Sequence, residues 1–349
     1  MHVQHLYHLT AFFVAAAVVL VSTPIVNRVG LLSGYVDKPG DRKVHDRPMV
    51  RLGGVSIFFG TLLALLLIWA IGGFTLLQPG KDYEIWGVAI GGVVFFLIGL
   101  TDDLIGLSPL SRLVMQFTVA SCAWFSGVQI DFLSVPFNGL MQIPAWISLP
   151  LTVIWLVGMA NAINWIDGLD GLAAGVAGIA ALVMLVVCLF MNQPAAGLIS
   201  AALAGSCLGF LRYNFNPAQI FMGDGGAYFI GFTLAGVGVT GLVKGVTTVA
   251  VLLPYLILAV PILDMSAVIL DRLRNGKSPF KADNRHLHHR LLDAGLPHRM
   301  TVLFIYALTF WAGSLALAFS GIPSGLAYAL AATALLSYTG WKARKQARS

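Results

Sequence analysis

Long apolar runs alternate with short polar segments along the whole chain. Runs of roughly 18 or more apolar residues are long enough to cross a bilayer as a helix, and this chain repeats them. Helices are predicted to start near Leu6, Leu52, Glu84, Arg112, Ile147, Leu172, Ala195, Gly226, Val249, Thr301 and Pro323. The pattern predicts an all-α polytopic membrane protein of about 11 transmembrane helices, a single integral membrane domain over residues 1–349. The fourth and fifth helices are the weakest. They are separated by "QIDFLSVPFNGLMQIPAW", an interfacial stretch with Trp124 and Trp146 placed like belt residues. An outer-membrane barrel alternates apolar and polar residues, and "TLLALLLIWAIGGF" does not. The first apolar run has no basic region before it and no small-residue cleavage site after it. It reads as a retained helix and not a signal peptide.

Composition narrows the class further. Hydrophobic residues make up 58% of the chain and charged residues 10%, against about 25% charged in soluble domains. A water-soluble globular domain is excluded, and no nucleic-acid partner is expected. Cys122, Cys188 and Cys207 all fall in apolar runs, where they read as small hydrophobes packing between helices rather than a disulfide framework.

Lysine and arginine set the orientation. With the N-terminus outside, residues 27–51, 102–112, 164–171, 212–225 and 271–300 and the tail 342–349 face the cytoplasm. Of the 21 basic residues, 19 then lie inside, leaving Lys81 and Lys244 outside. Asp102, Asp103, Asp167, Asp170, Asp224 and Asp264 gather on the same side. Carboxylates do not follow the positive-inside rule, so their one-sidedness points to a cleft on the cytoplasmic face.

Four motifs carry candidate chemistry. In "GLTDDLIGLSPLSRLVMQ", Asp102 and Asp103 end an almost uncharged run, with Arg112 and Gln116 one turn apart on the next helix. Ionisable groups at that depth are costly and usually functional, and adjacent carboxylates are relieved by a cation. In "NAINWIDGLDGL", Asn161, Asn164, Asp167 and Asp170 recur every third residue, which predicts a polar stripe along one helix face. In "FMGDGG", Asp224 sits among glycines at a helix start, where free backbone N–H groups attract a metal-bound phosphate. Phe221, three residues earlier, is placed to stack on a base. In "NRHLHHRLLDAG", His286, His288 and His289 lie among basic residues. H-x-H-H lacks the spacing of common zinc sites, so phosphate or diphosphate recognition is the expected role. The basic stretch closing in Gly53-Gly54 reads, on its own, as a positive-inside loop.

Cytoplasmic carboxylates beside cationic loops suggest Mg²⁺-dependent chemistry on phosphates, since Mg²⁺ takes one or two carboxylates and lets phosphate oxygens complete its shell. A site at the bilayer edge pairs a lipid with a soluble substrate. A lipid phosphate attacking a nucleotide-sugar diphosphate fits both.

"TDD", "NAINWIDGLDGL", "FMGD" and "HLHH", in this order, resemble the polyprenyl-phosphate N-acetylhexosamine-1-phosphate transferases. That family starts O-antigen and related glycans, and it is related to the phospho-MurNAc-pentapeptide transferases of peptidoglycan synthesis. The resemblance runs through nearly the whole chain. It implies Asp224 as a ligand of Mg²⁺, with Mn²⁺ as a substitute, and Phe221 stacking on uracil. Asn164, Asp167 and Asp170 form the nucleotide pocket and the metal surroundings. Asp102 deprotonates or orients the lipid phosphate, with Asp103 beside it, and the three histidines grip the diphosphate or sugar. Arg112 stands where the peptidoglycan enzymes usually have lysine; its guanidinium fork can also bind phosphate, but not interchangeably.

The expected reaction transfers N-acetylglucosamine-1-phosphate from UDP-N-acetylglucosamine to undecaprenyl or another polyprenyl phosphate, releasing UMP, in the bacterial inner membrane. The partners are those two substrates, the membrane and a second copy of the chain. The H-x-H-H form favours N-acetylglucosamine over the MurNAc-pentapeptide enzymes, which carry three consecutive histidines. The MurNAc-pentapeptide reaction and transfer from another UDP-N-acetylhexosamine are the alternatives within the family. Single displacement is expected, because paired aspartates can serve as base and orienter without covalent capture. An ion-coupled transporter is the main non-enzyme alternative, and it places its ionisable groups near the bilayer midplane. A purely structural scaffold has no need of the histidines.

Overall fold

The computed structural model describes residues 2–37, 48–77, 81–135, 139–242, 248–276 and 286–346. The basic positions Lys38, Arg42, Lys43, Arg47, Lys244, Lys277, Lys281, Arg285 and Arg348 lie outside the described residues.

Each predicted apolar segment is helical. In chain order they are α1 (His2–Leu32), α2 (Gly54–Ala70), α3 (Lys81–Ile105), α4 (Pro109–Phe125), α5 (Ala145–Ile166), α6 (Leu172–Phe190), α7 (Pro194–Asn214) and α8 (Gly223–Val237). A π-helical turn, Gly238–Leu242, prolongs α8. After it come α9 (Thr248–Ile257), α10 (Ala259–Arg274), the short α11 (Leu287–Asp293), α12 (His298–Phe319) and α13 (Gly325–Gln346). Among the described residues, seven helices are long and apolar enough to cross a membrane, or eight if the α9–α10 pair is one span. The chain is a multi-pass, all-helical membrane protein.

Fewer helices qualify as spans than the eleven expected, for reasons of length and polarity. Helices α2 and α4 have 17 residues each, or about 26 Å at 1.5 Å per residue, short of the roughly 30 Å hydrocarbon layer. Helix α13 ends in the polar run "WKARKQ". The ninth segment is bent by 75° between Ile257 and Ala259. Pro261, at the third position of α10, has no N–H for the carbonyl four residues back, which weakens the ladder across the bend.

The helices also run further than the loops drawn from sequence. Asp102 and Asp103 lie in the last turn of α3, and Asn164 lies in the last turn of α5. Apolar character stops there, but backbone hydrogen bonding does not. Two small hairpins complete the fold. β1 (Val36–Asp37) pairs antiparallel with β2 (Met49–Val50), and β3 (Phe132–Val135) with β4 (Gly139–Gln142). The second hairpin occupies the stretch expected to be interfacial. Nearby, Trp124 Nε1 donates to Ser148 Oγ at 2.9 Å and Trp146 is exposed.

Helix α8 forms the centre of the bundle, packed against α3 and α5. Every one of its residues except Asp224 is buried. Phe58, Phe96 and Phe229 join α2, α3 and α8, the first two stacked at 4.2 Å between ring centroids. Phe95 stacks on Phe232 at 4.5 Å. Such pairs add about 0.5–1.5 kcal/mol each beyond area burial. Cys188 and Cys207 are buried between helices as expected, whereas Cys122 points outward from α4.

Candidate active site at one end of the bundle

The site is built on the start of α8. Gly223 has φ +78°, a conformation that side chains with a Cβ rarely adopt, and it turns the chain into the helix. The residues before it are held by an extended segment ahead of α2. Phe221 N–H donates to the Val50 carbonyl at 2.9 Å, Gly53 N–H to that of Phe221 at 2.9 Å, and Gly54 N–H to that of Met222 at 2.7 Å. This pairing carries Arg51 Nη2 to 3.7 Å from Asp224 Oδ1. Gly53-Gly54, read from sequence as the end of a basic loop, is therefore a structural partner of the Asp224 segment.

Helix α3 packs against the same turn so closely that a Cβ on Gly99 would strike the backbone of Asp224 and Gly225. One turn further on, Asp103 accepts hydrogen bonds from the N–H groups of Asp224 and Gly225, both at 3.0 Å. These N–H groups were expected to be free for an anion. They are already satisfied by a carboxylate of the chain itself, which is also the charge that a helix N-terminus favours.

Asp102 faces the other way. Its Oδ1 accepts from Leu107 N–H at 2.6 Å, and its Oδ2 forms a close ion pair with Arg112 Nη1. The same nitrogen lies 3.2 Å from Asp224 Oδ2 and 3.4 Å from the Tyr228 hydroxyl. Asn164 Nδ2 donates to Asp224 Oδ1 at 3.0 Å. Asp102, Arg112, Asn164 and Asp224 are thus in direct contact. Among the described residues, no group of three or more His, Cys, Asp or Glu is arranged around a metal position.

The expected stripe of four polar residues is not one stripe. Helix α5 stops at Ile166, so only Asn161 and Asn164 project from it. Asn161 donates to Gln116 Oε1 at 2.7 Å. Asp167 is the C-cap of α5, and burial pushes its carboxyl up to about 7, with Arg51 opposing and Asp103 and Asp170 adding to the rise. Asp170 turns to the loop before α8, accepting from Asn216 Nδ2 and Ala218 N–H, both at 3.0 Å.

The histidines form a separate group beside this turn. Asp264, inside α10, accepts from Leu287 N–H at 2.6 Å and lies 2.8 Å from His286 Nδ1. It therefore both caps α11 and orients its first histidine. His286 and His288 are nearly parallel at 5.7 Å between centroids, and His289 lies 4.3 Å from His288. Trp165 meets His286 edge-on at 5.9 Å, and Arg272 lies over Trp165. His288 is 1% exposed, and neither of its ring nitrogens has a hydrogen-bond partner. Burial lowers its imidazole to about 4, and His289 is lowered by burial and by His286. The His288 ring lies against Gly168, where a Cβ would overlap it. Phe221 is half-buried, on the segment that pairs with residues 50–54.

Sequence reasoning missed several residues here. Asn214 accepts from Gly171 N–H at 3.1 Å and donates to the Ile220 carbonyl at 3.0 Å, tying the α5–α6 turn to the Asp224 segment. Arg299, at the start of α12, donates to the Asn216 carbonyl at 2.9 Å. Arg51 and Arg299 had been read only as orienting charges. In chain order the site takes the start of α2, the end of α3, the start of α4, the end of α5, the start of α6, the end of α7 and the start of α8.

The glycosyl transferase family 4 model matches residues 85–242, a stretch that includes all of these elements from α3 to α8. The chain is 41% identical over 301 residues to a probable undecaprenyl-phosphate N-acetylglucosaminyl 1-phosphate transferase of Bacillus subtilis, covering 86% of this chain and 81% of that one. It is 37% identical to the decaprenyl-phosphate N-acetylglucosaminephosphotransferase of Mycobacterium tuberculosis, over 86% and 79% of the two chains. It is 31% identical to the undecaprenyl-phosphate alpha-N-acetylglucosaminyl 1-phosphate transferase of Haemophilus influenzae, over 84% and 81%. With its carboxylates, asparagine and histidines drawn to one end of a bundle of apolar helices, the chain belongs to the family of these enzymes, glycosyl transferase family 4.

Proposed function

We propose that this enzyme transfers N-acetylglucosamine-1-phosphate from UDP-N-acetylglucosamine to a polyprenyl phosphate such as undecaprenyl phosphate, releasing UMP. The relatives are named for the lipid phosphate and the N-acetylglucosamine phosphate. The observation that carries the reading here is the contact of Asp102, Arg112, Asn164 and Asp224 at the ends of apolar helices. A lipid headgroup reaches such a site from the bilayer and a nucleotide sugar reaches it from water. The excess of basic residues on that side supports a cytoplasmic site and an outside N-terminus, and the bacterial relatives support location in the bacterial inner membrane.

The donor set suits Mg²⁺, or Mn²⁺ in its place: hard carboxylate oxygens, few in number, leaving room for phosphate oxygens and water. Asp224 and Asp102 would hold the ion, which when bound neutralises charge on the diphosphate. The remaining steps belong to the chain. Asp102 orients the lipid phosphate, which attacks as its anion. A phosphate oxygen of the lipid attacks the phosphorus that bears the sugar, and the bond to UMP breaks. Asn164 holds Asp224 in position, Phe221 supports the uracil ring, and His286 and His289 donate to the diphosphate or sugar. Asp264 fixes the orientation of His286.

The test uses purified protein in detergent with polyprenyl phosphate, Mg²⁺ and UDP-N-acetylglucosamine, following UMP release. Release that needs the lipid and disappears with a chelator or with Asp224→Ala supports the reaction and its metal. Activity only with another UDP-N-acetylhexosamine moves the specificity. Inactivity of folded protein with all of them rejects the reading.

A further inference from the structure

Arg112 stands where a cation shared by Asp102 and Asp224 would stand. Its Nη1 touches Asp102 Oδ2 and Asp224 Oδ2 together. The other oxygen of each carboxylate is committed elsewhere, Asp102 Oδ1 to Leu107 N–H and Asp224 Oδ1 to Asn164. Asp103 spends both of its oxygens on the start of α8. The two oxygens facing Arg112 are therefore the pair that this carboxylate cluster offers to a cation.

Arg112 is held by the Asp102 and Asp224 carboxylates against an opposing helix field. It is the fourth residue of α4, after Ser108 at the N-cap, and a helix N-terminus disfavours positive charge. A guanidinium does not give up its proton to leave such a site; it has to move as an ion. Its side chain is 25% exposed, so one side of it opens toward solvent.

We propose that Arg112 and the divalent cation of the reaction exchange at this position. Arg112 bridges Asp102 and Asp224 until the cation enters, and the displaced guanidinium then turns to the incoming phosphate. The two positive charges cannot occupy one pair of oxygens, because like charges a few ångströms apart repel strongly where water is sparse. Arg112 thus lowers the affinity for free cation, and by reciprocity the cation loosens Arg112. The proposal rests on the metal-dependent transferase reading above.

The test measures Mn²⁺ binding to the purified protein in detergent, by paramagnetic resonance and calorimetry, with no substrate present. Wild type, Arg112→Gln and Arg112→Lys are compared, with Asp224→Asn to locate the site. Exchange predicts that Arg112→Gln binds Mn²⁺ about tenfold more tightly, and that Asp224→Asn abolishes the binding. Arg112→Gln should melt below wild type in chelator and regain the difference when Mn²⁺ is added. If Arg112→Gln does not fold, Arg112→Lys carries the test. A lysine is shorter, and its compact, strongly hydrated ammonium competes less well for both oxygens, so Mn²⁺ binding should tighten in the same direction by a smaller factor. Unchanged or weaker binding in a folded variant overturns the proposal and makes Arg112 a fixed brace. Tighter Mn²⁺ binding by Arg112→Gln, in a protein whose wild type releases no UMP, supports the exchange while rejecting the substrate assignment. Absence of Mn²⁺ binding in wild type and both Arg112 variants overturns the exchange.

Discussion

Asp103 and Gly225 are 122 residues apart in sequence, yet the carboxylate of one accepts the backbone N–H of the other at 3.0 Å. With the matching bond from Asp224 N–H, Asp103 caps α8 from a different helix. Loss of a helix cap costs about 0.5–2 kcal/mol. Asp103→Ala should lower the thermal midpoint in detergent accordingly, and Asp103→Asn, which keeps one acceptor oxygen, by less. Equal midpoints for wild type and Asp103→Ala would mean that the cap contributes nothing to stability.

Asp264 makes two contacts, with His286 and with Leu287 N–H, and its loss should be felt through the histidines. Hydrogen bonds to a charged group are worth about 1.5–3 kcal/mol. Asp264→Ala should reduce kcat/KM by roughly ten- to hundredfold, with Asp264→Asn less affected. Since Asp264 belongs to neither the carboxylate pair nor its arginine, Mn²⁺ affinity should stay at the wild-type value. A matching loss of Mn²⁺ affinity would assign Asp264 to the metal surroundings instead.

Gly168 and His288 should behave as a coupled pair. Gly168→Ala places a methyl group against the imidazole, and overpacking of this kind costs about 1–3 kcal/mol. Combining it with His288→Ala should recover most of the lost stability, a non-additivity that thermal unfolding of both single variants and the double variant measures. Additive losses would show that the ring yields without strain.

Asp167 should make stability depend on pH. Burial pushes its carboxyl up to about 7 in the folded protein, from the ordinary 3.8. Between those values the folded chain binds more protons, so this residue's contribution falls as pH rises toward 7. In chelator, Asp167→Asn should therefore gain stability relative to wild type at pH 8, and the gain should shrink toward pH 5. A constant difference between the two proteins across that range would exclude the effect.

Much of this arrangement is legible in the sequence, because a polar residue in an apolar run is conspicuous. The helical segments follow from their apolar runs, although among the described residues only seven or eight are long and apolar enough to cross a membrane. Asp102, Asn164, Asp224 and the histidines stand out against their surroundings. Arg51 and Arg299 do not, since one arginine in a basic loop looks like any other. Asp103 and Asp170 are legible as residues but not as roles. Both bind backbone N–H groups of segments distant in sequence, at positions set by helix packing. The stripe through Asn161 and Asp170 was misread because the glycine-rich turn ends α5 before the repeat does.

The alternation of helix starts and ends at the site imposes a parity rule on this chain. From Arg51 before α2 to Asp224 on α8, each contributing helix end returns to the same end of the bundle. Inserting or deleting one crossing in that interval would send every later contributor to the opposite end, separating Arg51 from Asp102 if it fell before the end of α3 and Asp102 from Asp224 if it fell later. Crossings there can be gained or lost only in pairs, whereas additions before α2 move the whole site without dividing it.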